Sequence, residues 1–131
     1  MMHKIMTFTA SGSWEPGDDY QISLVEEKET YCLRGKRIRK DMLNRSPQIV
    51  RHTVKVSSDW VTSLLSELQN ANIPVLPPEA LGCDGEFYSL SVGSPYGGAT
   101  YSWWSDPPEG WEIFPKVARK IMDEFSKDLP E

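Results

Sequence analysis

Ile49-Val50-Arg51-His52-Thr53-Val54-Lys55-Val56, followed by Ser57-Ser58-Asp59-Trp60-Val61-Thr62-Ser63-Leu64-Leu65-Ser66-Glu67-Leu68, changes its hydrophobic period partway along. In the first block Val50, His52, Val54 and Val56 fall on one side and Arg51, Thr53 and Lys55 on the other, the period of a half-buried strand. In the second, Trp60, Val61, Leu64, Leu65 and Leu68 recur at helical spacing. Ser57 or Ser58 supplies an N-cap oxygen and Asp59 suits the positive helix end, so a helix is expected from about Asp59 to Ala71.

Upstream, Lys4 to Ala10 reads as a strand that ends at Ser11-Gly12-Ser13, with a loop running on through Trp14 to Asp19. Tyr20, Ile22 and Leu24 then alternate with polar neighbours. Glu26-Glu27-Lys28-Glu29 forms a polar turn before Thr30 to Arg34, which predicts an antiparallel hairpin. Downstream, Pro74, Pro77 and Pro78 forbid regular structure across 73–81 and predict an extended connection. Asp84-Gly85 is a turn signal. Glu86 to Val92 and Ala99 to Trp104 flank a glycine-rich loop as a second hairpin. Trp111, Phe114, Val117, Ala118, Ile121, Met122 and Phe125 then mark a closing amphipathic helix, whose start Pro115 holds near Ile113. The expected fold is α+β in one domain over 1–131, an antiparallel sheet of about six strands with two helices on one face, in the order β-ββ-β-α-ββ-α.

The chain has 131 residues with 39% hydrophobic and 25% charged, the composition of a globular domain able to bury its own core. No long apolar run or signal-peptide cleavage pattern opens it, so the expectation is a soluble, cytoplasmic protein without a membrane partner. Cys32 and Cys83 form no CxxC and have no His close by, which gives no indication of a metal site. The net charge of −5 disfavours a general nucleic-acid binder. That charge is unevenly spread. Arg34, Lys36, Arg37, Arg39, Lys40, Arg45, Arg51 and Lys55 are opposed only by Asp41 between Tyr31 and Lys55. The stretch reads either as a phosphate-binding stripe or as the solvated end of a strand and its loop. Basic stretch and acidic remainder are complementary, which leaves a homodimer open.

Catalytic raw material is thin. His3 lies by the start, and His52 is in phase with Val50 and Val54, as expected of a sheet-face residue hydrogen-bonded within the fold. No nucleophile elbow, phosphate loop, dinucleotide fingerprint or zinc-protease motif occurs, so neither a catalytic residue nor a cofactor is expected. Asp84 and Glu86, with His52, are the material for a hydrolase reading. The aromatic residues are more suggestive: Tyr96, Tyr101, Trp103, Trp104 and Trp111 lie close together, interspersed with Asp106, Glu109 and Glu112. Strand alternation sends Trp103 and Trp104 to opposite faces, so at most one of them lies under the helices. The other faces solvent, a partner or a second cover.

Across about residues 82–125, Asp84-Gly-Glu-Phe-Tyr-Ser-Leu-Ser-Val and Ala99-Thr-Tyr-Ser-Trp-Trp-Ser-Asp-Pro-Pro-Glu-Gly-Trp111 resemble a loose group of small, mostly uncharacterised bacterial proteins. These share an Asp-Gly strand, a Tyr-x-Trp-Trp strand, a proline-glycine turn and a closing amphipathic helix. Some proteins of this size and acidity resemble immunity proteins of bacterial toxin systems. That resemblance implies a cytoplasmic, non-catalytic protein that binds one toxin domain; an acidic body would suit a basic, nucleic-acid-cleaving toxin. The leading expectation is therefore a non-enzymatic protein-binding module of immunity type, with Tyr96, Trp104, Asp106, Glu109, Asp84 and Glu86 as candidate partner-binding residues. The alternative is a nucleic-acid-associated factor using Arg34, Lys36, Arg37, Arg39 and Lys40.

Overall fold

The computed structural model describes residues 2–12, 18–41, 44–75, 86–94, 97–127 and 129. Strand β1 (Met2–Gly12) pairs with β2 (Asp18–Glu27), which returns as β3 (Thr30–Asp41) and again as β4 (Asn44–Val56). Helix α1 (Ser58–Gln69) follows, then β5 (Glu86–Ser94), β6 (Gly97–Trp104) and helix α2 (Ile113–Ser126). The sheet order is β4-β3-β2-β1-β5-β6, and every neighbouring pair is antiparallel. This is the expected α+β arrangement, with β5 inserted beside β1 by the connection that follows α1.

The β2–β3 turn is Lys28-Glu29, both in the left-handed region with φ of 52° and 63°. Two such residues match the twist of a two-residue hairpin. The Thr30 hydroxyl clamps the turn by donating to the Glu27 carbonyl at 2.6 Å. Strands β3 and β4 reach further than the sequence predicts. The basic run lies within β3 rather than in a loop, and Ser46-Pro47 lies within β4. Proline is tolerated there because β4 is an edge strand and the β3–β4 register shifts between Arg39 and Asp41.

Cross-strand register lines up one apolar face. Val54, Leu33, Leu24, Met6 and Val92 form one row, and His52, Gly35, Ile22, Phe8, Leu90 and Tyr101 the next. Both helices lie on this face. Helix α2 buries Phe114, Val117, Ala118, Ile121 and Phe125, and α1 buries Val61 and Leu64. Each large side chain so buried contributes about 1.5–3 kcal/mol. Ser57 caps α1, its Oγ accepting from the Trp60 amide at 3.0 Å. Lys120 Nζ on α2 donates to Glu67 Oε1 on α1 at 2.5 Å and ties the helices together. That bond is the main cause holding the Glu67 carboxyl below its ordinary value.

Gly35 stands between His52 and Ile22 in the second row for a steric reason. A Cβ there would stand 2.2 Å from the Gln21 carbonyl oxygen and 2.8 Å from Ile22 Cα. Only glycine allows β2 and β3 to approach so closely. No helix among the described residues is long and apolar enough to cross a membrane.

Candidate functional site: the sheet face opposite the helices

With both helices on one face, alternation delivers the remaining strand side chains to the other. The register gives this second face its own rows. Thr53, Arg34, Ser23, Thr7, Ser91 and Thr100 form one; Arg51, Lys36, Gln21, Thr9, Ser89 and Ser102 form another; a third level holds Ile49, Ile38 and Asp19 on β4, β3 and β2 and Ser11, Phe87 and Trp104 on β1, β5 and β6. Hydroxyls dominate its centre. Thr7 and Ser23 are hydrogen-bonded at 3.1 Å, as are Ser91 and Thr100 at 2.9 Å. The third row places large apolar side chains at two separated points, with Ile49 50% and Trp104 37% exposed. Trp104 rests on Phe87, ring centroids 5.0 Å apart.

The β1–β4 half of this face is cationic. A depression of about 370 Å³ has Ser23, Val25 and Gln21 in its lining, together with Lys4, Arg34, Lys36 and Arg51. Ser23 and Val25 are buried although no helix lies over them. Lys36 and Arg51 are direct cross-strand partners, and like charges opposite one another destabilise a sheet. Among the described residues neither has a carboxylate partner. Arg34 reaches Glu27 at 3.9 Å, both half-exposed, a surface pair of little energetic weight.

The basic run of β3 therefore divides between two faces. Arg34 and Lys36 enter the depression, whereas Arg37 and Arg39 turn to the helix side and meet Asp18 at 4.0 and 3.2 Å. Arg37 is buried there beside Tyr20. Lys40 holds a strand position, but its side chain lies outside the described residues. A single stripe of Arg34, Lys36, Arg37, Arg39 and Lys40 is not what the strand presents. Lys4, which the sequence reading passes over, joins the site because β1 carries a register shift between Lys4 and Met6.

The candidate partner-binding residues are also divided. Trp104 stands on the face opposite the helices, while Trp103 is buried beneath them, its ring stacked 6.0 Å from Phe114. Asp106 and Glu109 are exposed in the connection between β6 and α2. Glu86 is exposed but accepts from the Tyr88 hydroxyl on the helix side. Asp84 and Tyr96 lie outside the described residues.

A second cavity, about 480 Å³, lies between the sheet and α2 and is lined in part by Tyr20, Tyr88, Trp103, Asp18, Glu86 and Arg119. Burial, followed by the Glu86 carboxylate, pushes the Tyr88 phenol up to about 12. Burial, then Asp18, raises Tyr20 as well. Both phenols are thus hydrogen-bond donors at neutral pH and poor nucleophiles. His52 is remote from this cavity. Three strands separate β4 from β5, roughly 19 Å at ordinary strand spacing, so His52 and Glu86 form no acid-base pair. His52 is a sheet-face residue as expected, set edge-on to Phe125 with centroids 5.4 Å apart. Its Nε2 makes no hydrogen bond among the described residues.

Searches against protein-family models, curated proteins and solved structures gave no match to this chain.

Proposed function

We propose that this protein is a non-enzymatic protein-binding module that engages its partner through the sheet face opposite the helices, most concretely as an immunity-type inhibitor of a bacterial toxin domain. One observation carries the reading. Among the described residues, no helix or strand packs on the second face of the six-stranded sheet, which is polar in the middle, cationic towards β4 and aromatic towards β6. A stable protein interface takes about 800 Å² from each partner, and one face of a six-stranded sheet at ordinary strand spacing is of that order. Trp104 at its edge is the kind of side chain that anchors one. The wide separation of His52 and Glu86 leaves no acid-base pair between those two residues.

The test is affinity capture from native-host lysate, with and without nuclease, read by mass spectrometry. One protein recovered in both samples, and lost when Trp104→Ala is combined with Arg51→Glu, supports the reading. Recovery abolished by nuclease, or unaffected by those substitutions, overturns it.

A further inference from the structure

We propose that the depression formed by Lys4, Arg34, Lys36 and Arg51 is an anion-binding site that receives an acidic segment of the partner protein, an inference that rests on the protein-binding reading above. Four cations from three strands converge on one concavity, and the neutral donors Gln21, Ser23 and Thr53 complete its lining. The described strand residues of this face carry five cations, Lys55 included, against two carboxylates, Asp19 and Glu27, in a molecule whose net charge is −5. The site thus has the sign opposite to the whole.

Its internal arrangement points the same way. Lys36 faces Arg51 across the β3–β4 ladder, and Lys36 has neutral Gln21 on its other side. A sheet surface serving only solubility would gain by alternating its signs, and a retained like-charge pair is relieved when an anion bridges it. Arginine supplies paired donors matched to a carboxylate, and lysine a mobile point charge. The partner's contacting segment is accordingly acidic, whatever the charge of its remainder.

A nucleic-acid strand fits less well. Unspecific single-strand sites combine cationic grooves with aromatic stacking platforms. Among the described residues, no aromatic side chain other than the His52 ring lines the depression, and His52 belongs to the helix-side row. Among the described residues, the aromatic pair on this face, Phe87 and Trp104, stands on the far strands β5 and β6.

The experiment uses the full chain and a fluorescently labelled poly-glutamate peptide, with oligothymidylate of equal length as competitor. Saturable peptide binding is expected, weakening as salt rises and falling about tenfold or more in Lys36→Glu, with Arg119→Glu on α2 leaving it unchanged. Thermal unfolding of Lys36→Glu controls for folding, and a melting temperature at or above that of the parent is expected. Absent peptide binding, binding indifferent to Lys36→Glu, or tighter binding of the oligothymidylate would overturn the proposal. Failure here with partner capture intact removes the acidic-segment assignment alone. Peptide binding without any captured protein leaves an anion site and removes the protein-binding reading.

Discussion

Lys36 and Arg37 are neighbours in β3 that serve opposite faces of the sheet: Lys36 lines the cationic depression, and Arg37 is buried on the helix side, 4.0 Å from Asp18. Their truncations should therefore have different consequences. Arg37→Ala leaves the Asp18 carboxylate short of a partner and opens a gap beside Tyr20, costing about 1–3 kcal/mol in denaturant unfolding. Lys36→Ala should change stability by less than about 0.5 kcal/mol while weakening partner binding. Equal stability losses in the two variants would contradict this division.

Arg51 faces Lys36 with no carboxylate to offset either among the described residues. Converting the pair to opposite charges by Arg51→Glu should stabilise the sheet by about 0.2–1 kcal/mol at low salt. The gain should shrink as salt is added, since the pair is open to solvent. Urea unfolding at two ionic strengths measures both. A variant that is stabilised and yet fails to bind separates the functional cost of the cations from any structural one.

Gly35 tolerates no side chain, because any Cβ meets the backbone of β2. Gly35→Ala must push β2 and β3 apart within the core row that contains Ile22 and Phe8. A loss of about 3 kcal/mol is expected, near the upper end for overpacking, read as a lowered unfolding midpoint. An unchanged midpoint would show that the two strands are not held this close.

Tyr88 titrates above the ordinary tyrosine value of 10.0, at about 12, through burial and its bond to Glu86. A folded value above the unfolded one favours the protonated phenol in the native state. The corresponding stability is whole below pH 10 and is lost as pH rises towards 12. Ultraviolet titration of the parent and of Tyr88→Phe should differ by one phenol ionising near the upper limit. A difference near pH 10 instead would contradict the helix-side geometry.

Element types and their order were legible from periodicity, because Val50 to Val56, Leu64 to Leu68 and Val117 to Phe125 each keep one period over a useful length. The extent of β3 was hidden. Charge at nearly every position from Arg34 to Lys40 masks the alternation of an otherwise regular strand, and Pro47 resembles a break until β4 is known to lie at an edge. The opposite placement of Trp103 and Trp104 followed from alternation alone, but which of them lay outside depended on where the helices docked. The cationic depression was not legible as a unit. Arg34 and Lys36 were visible as part of a run, whereas Lys4 and Arg51 reach them only through the strand order β4-β3-β2-β1, which long-range pairing determines.

The most direct test of a partner bound on the sheet face opposite the helices is to compare its capture by the parent chain, by Lys36→Glu with Arg51→Glu, and by Arg119→Glu on α2 with Lys127→Glu at its C-cap. Capture lost in the first pair and kept in the second is the predicted result, with all three proteins unfolding cooperatively. Capture kept in the first pair and lost in the second would place the interface on the helices and contradict the account.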